Sequence, residues 1–388
     1  MEDGTIRMSL KEHVRVQVCQ EMLRGRMREK EGAGRLGLSV RQVRRLKKRV
    51  GREGPAGVIH RLRGRPSSRR TPQDVQRQIK ELYQERYAGW NMAHFGERLA
   101  DVHGIVLSRE RVRGILLGDP SRPRRVKRRK HRRWRARRSR EGDLVQMDAS
   151  IHPWLGEDGE EAVLISAIDD ATGKALWAGF FACDGTLENL AVVKGIVRKY
   201  GIPAGLYLDR SSKYFPEEEA ALAARERGEE ALTQFGRAMR QLGIEMVKAR
   251  SPQAKGRVER SFRTFQDRLV KELELEGLKT ISEANAYLRG VFLPAYNGRF
   301  AVRPEEKHSA FVKMSRGFDY NEVFCLKQPR TVQNDYTVSY EGEKIQLEEA
   351  GVRAGQKVEV RVRLDASVHV YRKGNRPVKA HKILKKAG

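Results

Sequence analysis

The chain has 388 residues, 39% of them hydrophobic, and sets 79 Lys and Arg against 50 Asp and Glu, a formal charge of +29. That length excludes a single ordinary core and predicts two to four domains, while the charge predicts a polyanionic partner. Cys19, Cys183 and Cys325 lie far apart, outside any CxxC or Cys/His cluster, which argues against a disulfide framework and a zinc site and suits a reducing cytosol.

The longest near-continuous apolar stretch, residues 175–183, is too short to span a bilayer, so the expectation is a soluble cytoplasmic protein, nucleoid-associated and without a membrane partner. The charge is uneven. Residues 1–140 hold 40 Lys and Arg against 14 Asp and Glu, and the remainder 39 against 36. A segment so cationic binds nucleic acid through counterion release.

Residues 8–62 read as a helix-turn-helix DNA-binding domain. Ala33, Leu36, Leu38, Val43 and Leu46 are its candidate core, and Gly37 suits the tight turn between helices. Ser39 followed three residues later by Gln42 is a capping-box pattern, so a helix should start at Val40. Its first turn would enter the major groove and its later cations would grip phosphate, which makes Ser39, Arg41, Gln42, Arg44, Arg45 and Lys48 the candidate DNA contacts.

Residues 63–70 form a basic linker. Arg63-Gly64-Arg65-Pro66 resembles the core of an AT-hook, which would give Arg63 and Arg65 to a minor groove; a plain basic linker fits equally well. A second helix-turn-helix-like domain is expected over residues 71–120, from Thr71 and Pro72 through a stripe of Ile79, Leu82 and Tyr83 to a short helix capped by Ser108. Residues 121–140 carry 13 Lys or Arg and no acid, a linker without a core.

The pattern changes after Asp143. Strands are expected at residues 144–150, 162–168, 175–182, 205–208 and 244–249, with helices over 187–200, about 231–242 and from near Pro252. Three strands, helix, strand, helix, strand, helix is the order of an RNase H-like α/β core with a mixed sheet, which would occupy residues 141–320. Short alternating strands beyond Asn321, with Val358, Val360, Val362 and Leu364 on one face, predict a small SH3-like β-barrel over residues 321–388.

Three acids fall where strand ends and a helix start can converge: Asp148 on the first core strand, Asp209 just after the fourth, and Glu259 on the helix after the fifth. Carboxylates supply hard oxygen ligands for two Mg²⁺ or Mn²⁺ ions, and such a pair can stabilise both the attacking and the leaving oxygen of an in-line displacement at phosphorus. Val258, Phe262, Phe265 and Leu269 repeat as a buried stripe beside Glu259. Taken alone, Lys255, Glu259 and Arg263 read better as a salt-bridged surface helix. Asp169 and Asp170 rank second, because an Asp at a strand-end turn is more often a cap.

The sequence context weighs in favour of the triad. Residues 251–260 (SPQAKGRVER) resemble the PxxxGxxE segment of insertion-sequence DDE transposases with an integrase-type core, an ISNCY-like group, with Pro252, Gly256 and Glu259 in matching positions. Residues 208–215 (LDRSSKYF) and 145–150 (VQMDAS) resemble the segments of that family's two aspartates, residues 168–173 (IDDATG) its second-strand turn, and residues 330–340 part of its tail.

The resemblance implies that Asp148, Asp209 and Glu259 bind the metals and carry the reaction. It implies a transposase that binds terminal inverted repeats, cleaves the element ends, and joins the freed 3′-OH to target DNA as a dimer or higher assembly. Lys255 and Arg263 flank Glu259 as candidate DNA contacts. Gln266 stands where the family often has a cation, so Arg263 or Arg268 would substitute. The 50 positions from Asp209 to Glu259 exceed the spacing of retroviral integrases, and residues 216–230 are the expected insertion. Two other classes stay open: a non-catalytic DNA-binding regulator that kept a nuclease-like domain, and a resolvase-type nuclease.

Overall fold

A computed structural model describes residues 6–64, 67, 70–117, 136–249, 256–348, 352–372 and 376–382. Arg65, Lys255, half of residues 63–70, residues 121–135 of the basic linker and residues 251–255 of the Glu259 motif lie outside the described residues. The chain divides into two compact units, residues 1–78 and 79–388.

The first unit is helical: α1 (Leu10–Leu23), α2 (Glu29–Leu36) and α3 (Val40–Glu53). Gly37 closes α2 in the left-handed region (φ 62°), where a side chain would be strained, and so makes the sharp turn into α3. The capping box forms as the sequence indicates: the Gln42 N–H donates to Ser39 Oγ at 3.3 Å, and the Ser39 N–H donates to Gln42 Oε1 at 3.0 Å. Ala33, Val43 and Leu46 are buried with Val18, Cys19 and Met22 of α1, and Leu36 and Leu38 pack against them.

The second unit opens with a helical module: α4 (Gln73–Arg86, which crosses the boundary between units), α5 (Met92–Asp101) and α6 (Arg109–Ile115). Its centre is Ile79, Tyr83, Tyr87, Trp90, Phe95, Leu99 and Val112, all fully or almost fully buried. Asn91 caps α5 through Oδ1 and Ser108 caps α6, which satisfies N–H groups that have no partner within each helix.

The central sheet holds β1 (Val145–Ile151), β2 (Val163–Asp169), β3 (Ala175–Phe181), β4 (Gly205–Leu208) and β5 (Glu245–Lys248), in spatial order β3-β2-β1-β4-β5. The first three form an antiparallel meander, and β4 and β5 add on in parallel. Residues 163–169 are an almost unbroken apolar run because both faces of β2 are covered. On one face, α7 (Thr186–Lys199) and α9 (Gln234–Leu242) pack on Val145, Met147, Leu206 and Leu208. On the other, α10 (Gly256–Leu275), α11 (Ile281–Tyr287) and α12 (Leu293–Phe300) pack on Leu164, Ile168 and Phe180. A helix α8 (Glu218–Glu226) occupies the expected insertion between β4 and α9, and α13 (Tyr320–Val323) leads to the last strands.

The small C-terminal barrel expected from the sequence does not close among the described residues. Its strands are β6 (Cys325–Thr331), β7 (Thr337–Tyr340), β8 (Glu343–Leu347), β9 (Lys357–Arg363), β10 (Val368–Arg372), β11 (Arg376–Val378) and β12 (Ala380–Lys382). They form a four-stranded sheet, β11-β10-β9-β6, and a separate three-stranded sheet, β12-β8-β7, over one apolar core. The physical reason is the turn at Gln333–Tyr336, where Tyr336 has φ 57°. It ends the β6–β9 ladder and sends β7 to pair with β8. Val358, Val360 and Val362 share that core, but Leu364 lies beyond the end of β9 and packs against the central core instead.

Candidate active site

Strand register brings two of the three acids together. β1 and β4 run parallel with Val145 beside Leu206 and Gln146 beside Tyr207. Continuing that register by two residues leads to Asp148 on β1 and to Asp209, the first residue after β4, and the alternation of the strands carries both toward the same face of the sheet. Both are half-buried. Asp148 Oδ1 accepts the Ala149 N–H at 3.1 Å and Asp209 Oδ1 the Ser211 N–H at 3.1 Å. Both are felt by one buried phenol: burial pushes the Tyr214 hydroxyl pKa far up, and the charges of Asp184, Asp209 and Asp148 push it further.

The face carrying both aspartates is the one that α10 covers. Gln146, Asp148 and Ser150 alternate onto it. The Val258 N–H donates to Gln146 Oε1 at 3.4 Å, and Gln266 Nε2 donates to Ser150 Oγ at 3.4 Å. Between these contacts β1 advances about 13 Å and α10 about 12 Å, so helix and strand run side by side in the same direction. Asp148 is the midpoint of that row. Glu259, half-buried in the first turn of α10, lies two helical turns before Gln266 and therefore on its side of the helix. Val258, Phe262, Phe265 and Leu269 anchor the helix in the core, as their spacing indicates.

Among the described residues, no three His, Cys, Asp or Glu side chains form a group that could hold a metal as they stand. The donor chemistry nonetheless fits hard divalent cations, since the three candidates are all carboxylates. Ser166, the register partner of Asp148, is fully buried, and its hydroxyl has no hydrogen-bond partner among the described residues. That leaves unmet polar capacity beside Asp148, of the kind a hydrated cation can satisfy.

Asp169 and Asp170 have other work. Both are 0% exposed. Asp169 Oδ1 accepts the Gly142 N–H at 2.8 Å, and its Oδ2 accepts the Thr172 N–H and hydroxyl at 2.8 and 2.7 Å. Burial raises its pKa against those hydrogen bonds. Asp170 Oδ1 accepts from Gln146 Nε2 and Arg257 Nη1, each at 2.6 Å, and its Oδ2 accepts the Arg138 N–H at 2.9 Å.

A polar chain beside the aspartates gave no recognisable local signal. The Tyr214 hydroxyl donates to Asn189 Oδ1 at 2.6 Å, Asn189 Nδ2 donates to Asp184 Oδ1 at 2.7 Å, and Asp184 pairs with Lys213. These partners come from separate stretches of sequence and meet only in the fold.

The candidate DNA contacts divide. Arg41, Gln42, Arg44, Arg45 and Lys48 are on α3, although Arg44 is paired with Glu29 at 2.9 Å and Gln42 is engaged with Ser39. Arg63 is bound to Glu12 Oε2 at 3.0 Å and to the Arg7 carbonyl at 3.3 Å. Arg263 faces solvent. Arg268, a candidate stand-in for the missing cation, is instead buried against the helical module, where it pairs with Glu97 Oε1 at 3.1 Å.

That pairing belongs to a polar dock between α5 and the C-terminal half of α10. His94 Nε2 meets Glu272 Oε1 at 2.7 Å, while the Tyr287 hydroxyl at 2.7 Å and Arg98 at 3.2 Å hold the other oxygen. Asn91 bonds Asp267, and Arg299 pairs with Asp101. Burial holds the His94 pKa down against the pull of Glu272, so the ring stays neutral and donates Nε2–H. For Glu272 burial pulls the pKa up, but the hydrogen bonds from His94 and Tyr287 and the charge of Arg98 outweigh it.

A helix-turn-helix unit, followed by a helical module and a mixed sheet with helices on both faces, defines a multidomain protein of the DNA-binding class. Residues 14–67 match a family described as a helix-turn-helix domain. The chain is 35% identical over 376 residues to the putative transposase y4bF of Sinorhizobium fredii (strain NBRC 101917 / NGR234), covering 96% of this chain and 81% of that protein. It is 29% identical over 359 residues to the transposase for insertion sequence IS1202 of Streptococcus pneumoniae, covering 84% of this chain and 75% of that one. Among solved structures, a chain in the simian T-cell lymphotropic virus intasome bound to PP2A regulatory subunit B56 gamma matches with a TM-score of 0.34 at 12% identity, over 80% of this chain and 100% of that one. The chain belongs to the insertion-sequence transposases. Among the described residues no helix is long and apolar enough to cross a membrane.

Proposed function

We propose that this transposase is of the DDE type, with Asp148, Asp209 and Glu259 as its metal-binding carboxylates on an RNase H-like core. The observation that supports the reading is the β1–β4 register, which runs toward Asp148 on one strand and Asp209 just past the other, with α10 packed over β1. The succession of three antiparallel strands, helix, parallel strand, helix, parallel strand and helix supports the RNase H-like assignment.

In this reading the α1–α3 unit recognises the terminal inverted repeats of the element. Arg41 and Arg45 are exposed on α3, and with Lys48 they supply phosphate and base contacts. Two Mg²⁺ or Mn²⁺ ions, when bound, supply the charge that balances the attacking and leaving oxygens at phosphorus. Asp148 and Asp209 anchor that charge from the rigid sheet, and Glu259 closes it from the helix. Water, then the freed 3′-OH, is the attacking group in end cleavage and in joining to target DNA. Positioning and electrostatics supply the rate, and no covalent protein intermediate is formed. Synapsis of two ends calls for at least two copies of the chain.

The test is cleavage of a duplex carrying an element end by the purified chain, with Mg²⁺ and with a chelator. Divalent-dependent nicking followed by strand-transfer products supports the reading. DNA binding without cleavage points to a regulator, and cleavage of branched DNA without joining points to a resolvase-type nuclease.

A further inference from the structure

The buried carboxylate of Asp170 has no route to DNA, yet it ties together three separate stretches of the chain. It stands at the β2–β3 turn with 0% exposure. One oxygen takes both the Gln146 amide and the Arg257 guanidinium, and the other takes the backbone of Arg138. Its own N–H is fixed to the Leu144 carbonyl at 2.9 Å.

Two paths run from this carboxylate to the start of α10. The direct one is the ion pair to Arg257, whose side chain is only 16% exposed. The relayed one passes through Gln146: its Nε2 is held by Asp170, which aims Oε1 at the Val258 N–H. That N–H lies in the first turn, where a helix cannot supply its own acceptors. Both paths end on the two residues immediately before Glu259.

We infer that Asp170 is a positioning residue: it clamps the first turn of α10 and thereby sets Glu259 against Asp148 and Asp209. The inference rests on the triad reading for its consequence, and on geometry alone for the clamp. A buried carboxylate that binds a guanidinium and two N–H groups at once has a single workable placement, so the turn it holds is held tightly.

The experiment compares full-length wild type with Asp170→Asn, Arg257→Met and Arg257→Lys. Two quantities are read: hydrogen exchange at the amides of α10's first turn, and Mn²⁺ affinity by calorimetry and electron paramagnetic resonance. Asp170→Asn and Arg257→Met should each speed exchange in that turn and weaken Mn²⁺ binding by about 10- to 100-fold, the usual effect of losing a residue behind a metal ligand. Arg257→Lys should fall between them and wild type. The double variant should be little worse than either single one, because both act through the same turn. If Asp170→Asn does not fold, Arg257→Met carries the comparison from the outer end of the same pair. Folded variants with wild-type exchange in this turn would overturn the clamp, and unchanged Mn²⁺ affinity with faster exchange would overturn its link to Glu259. A wild type that neither takes up Mn²⁺ nor cuts end DNA removes the triad reading instead, and the exchange comparison still decides the clamp.

Discussion

His94 and Glu272, 178 residues apart in sequence, meet at 2.7 Å across the seam between α5 and α10. The neutral ring donates its Nε2–H to the carboxylate in a hydrogen bond, and its buried Nδ1 has no partner among the described residues. Protonating that nitrogen adds a buried donor with nothing to receive it, beside the positive charges of Arg98 and Arg268. The folded pKa of His94 is depressed, so its contribution to stability is complete above the unfolded value near 6.5 and is lost as pH falls below it. Glu272, also depressed, acts in the same direction at lower pH, below about 4.5. The melting temperature should therefore fall between pH 7.5 and 5.5, and His94→Gln should flatten that slope. An equal slope in the variant would assign the pH effect elsewhere.

Arg268 should behave as a docking residue. Its partner Glu97 keeps 28% exposure, so Arg268→Ala should cost roughly 1–3 kcal/mol, less than breaking a wholly buried pair. Urea unfolding measures this. Affinity for end DNA should not change; a large loss of binding at unchanged stability would return Arg268 to the DNA contacts.

Asp148→Asn and Asp209→Asn should each lower divalent-dependent cleavage by more than the roughly 10- to 100-fold typical of losing a residue behind a metal ligand. Binding to end DNA should persist in both, because the α3 surface is untouched. Burst-phase cleavage at saturating Mn²⁺ is the measurement, and a variant that cuts at the wild-type rate removes its residue from the scheme.

On α3, Arg41→Ala and Arg45→Ala should weaken duplex binding and make its salt dependence shallower, by about one unit of slope for each phosphate that goes unneutralised. Ser39→Ala removes the N-cap and should cost about 1 kcal/mol of stability in the helical unit. Anisotropy titrations across a salt series separate these effects: a stability change alone leaves the slope intact.

The elements that could be read in advance were those with local signatures. Ser39 and Gln42 announce their capping box within four residues. The run 162–168 is apolar on both faces because helices cover both faces of β2. The row Val258, Phe262, Phe265 and Leu269 is a helix stripe wherever it packs. Side-chain partnerships over long separations leave no such trace. Nothing near Arg268 announces Glu97, and nothing near Asp184 announces Lys213. Asp170 reads as a turn residue until Arg257 arrives from 87 positions away. In the C-terminal part β9 and β10 were legible as strands, β6 and β7 read as one strand, and β8, β11 and β12 left no signal; what divides β6 from β7 is the turn at Tyr336, where a non-glycine residue takes a positive φ that composition does not foretell.

The polar dock between α5 and α10 has a metric consequence. α5 of the helical module and the acid-bearing helix belong to one compact unit, joined by at least four charged or hydrogen-bonded pairs. Under the proposed function, any base pair that the module touched would be kept at a set number of steps from a phosphodiester held at Glu259. The interval between a sequence feature and the cut would then be measured out by the protein as by a caliper, and shifting that feature along the duplex by one base pair should spoil the alignment.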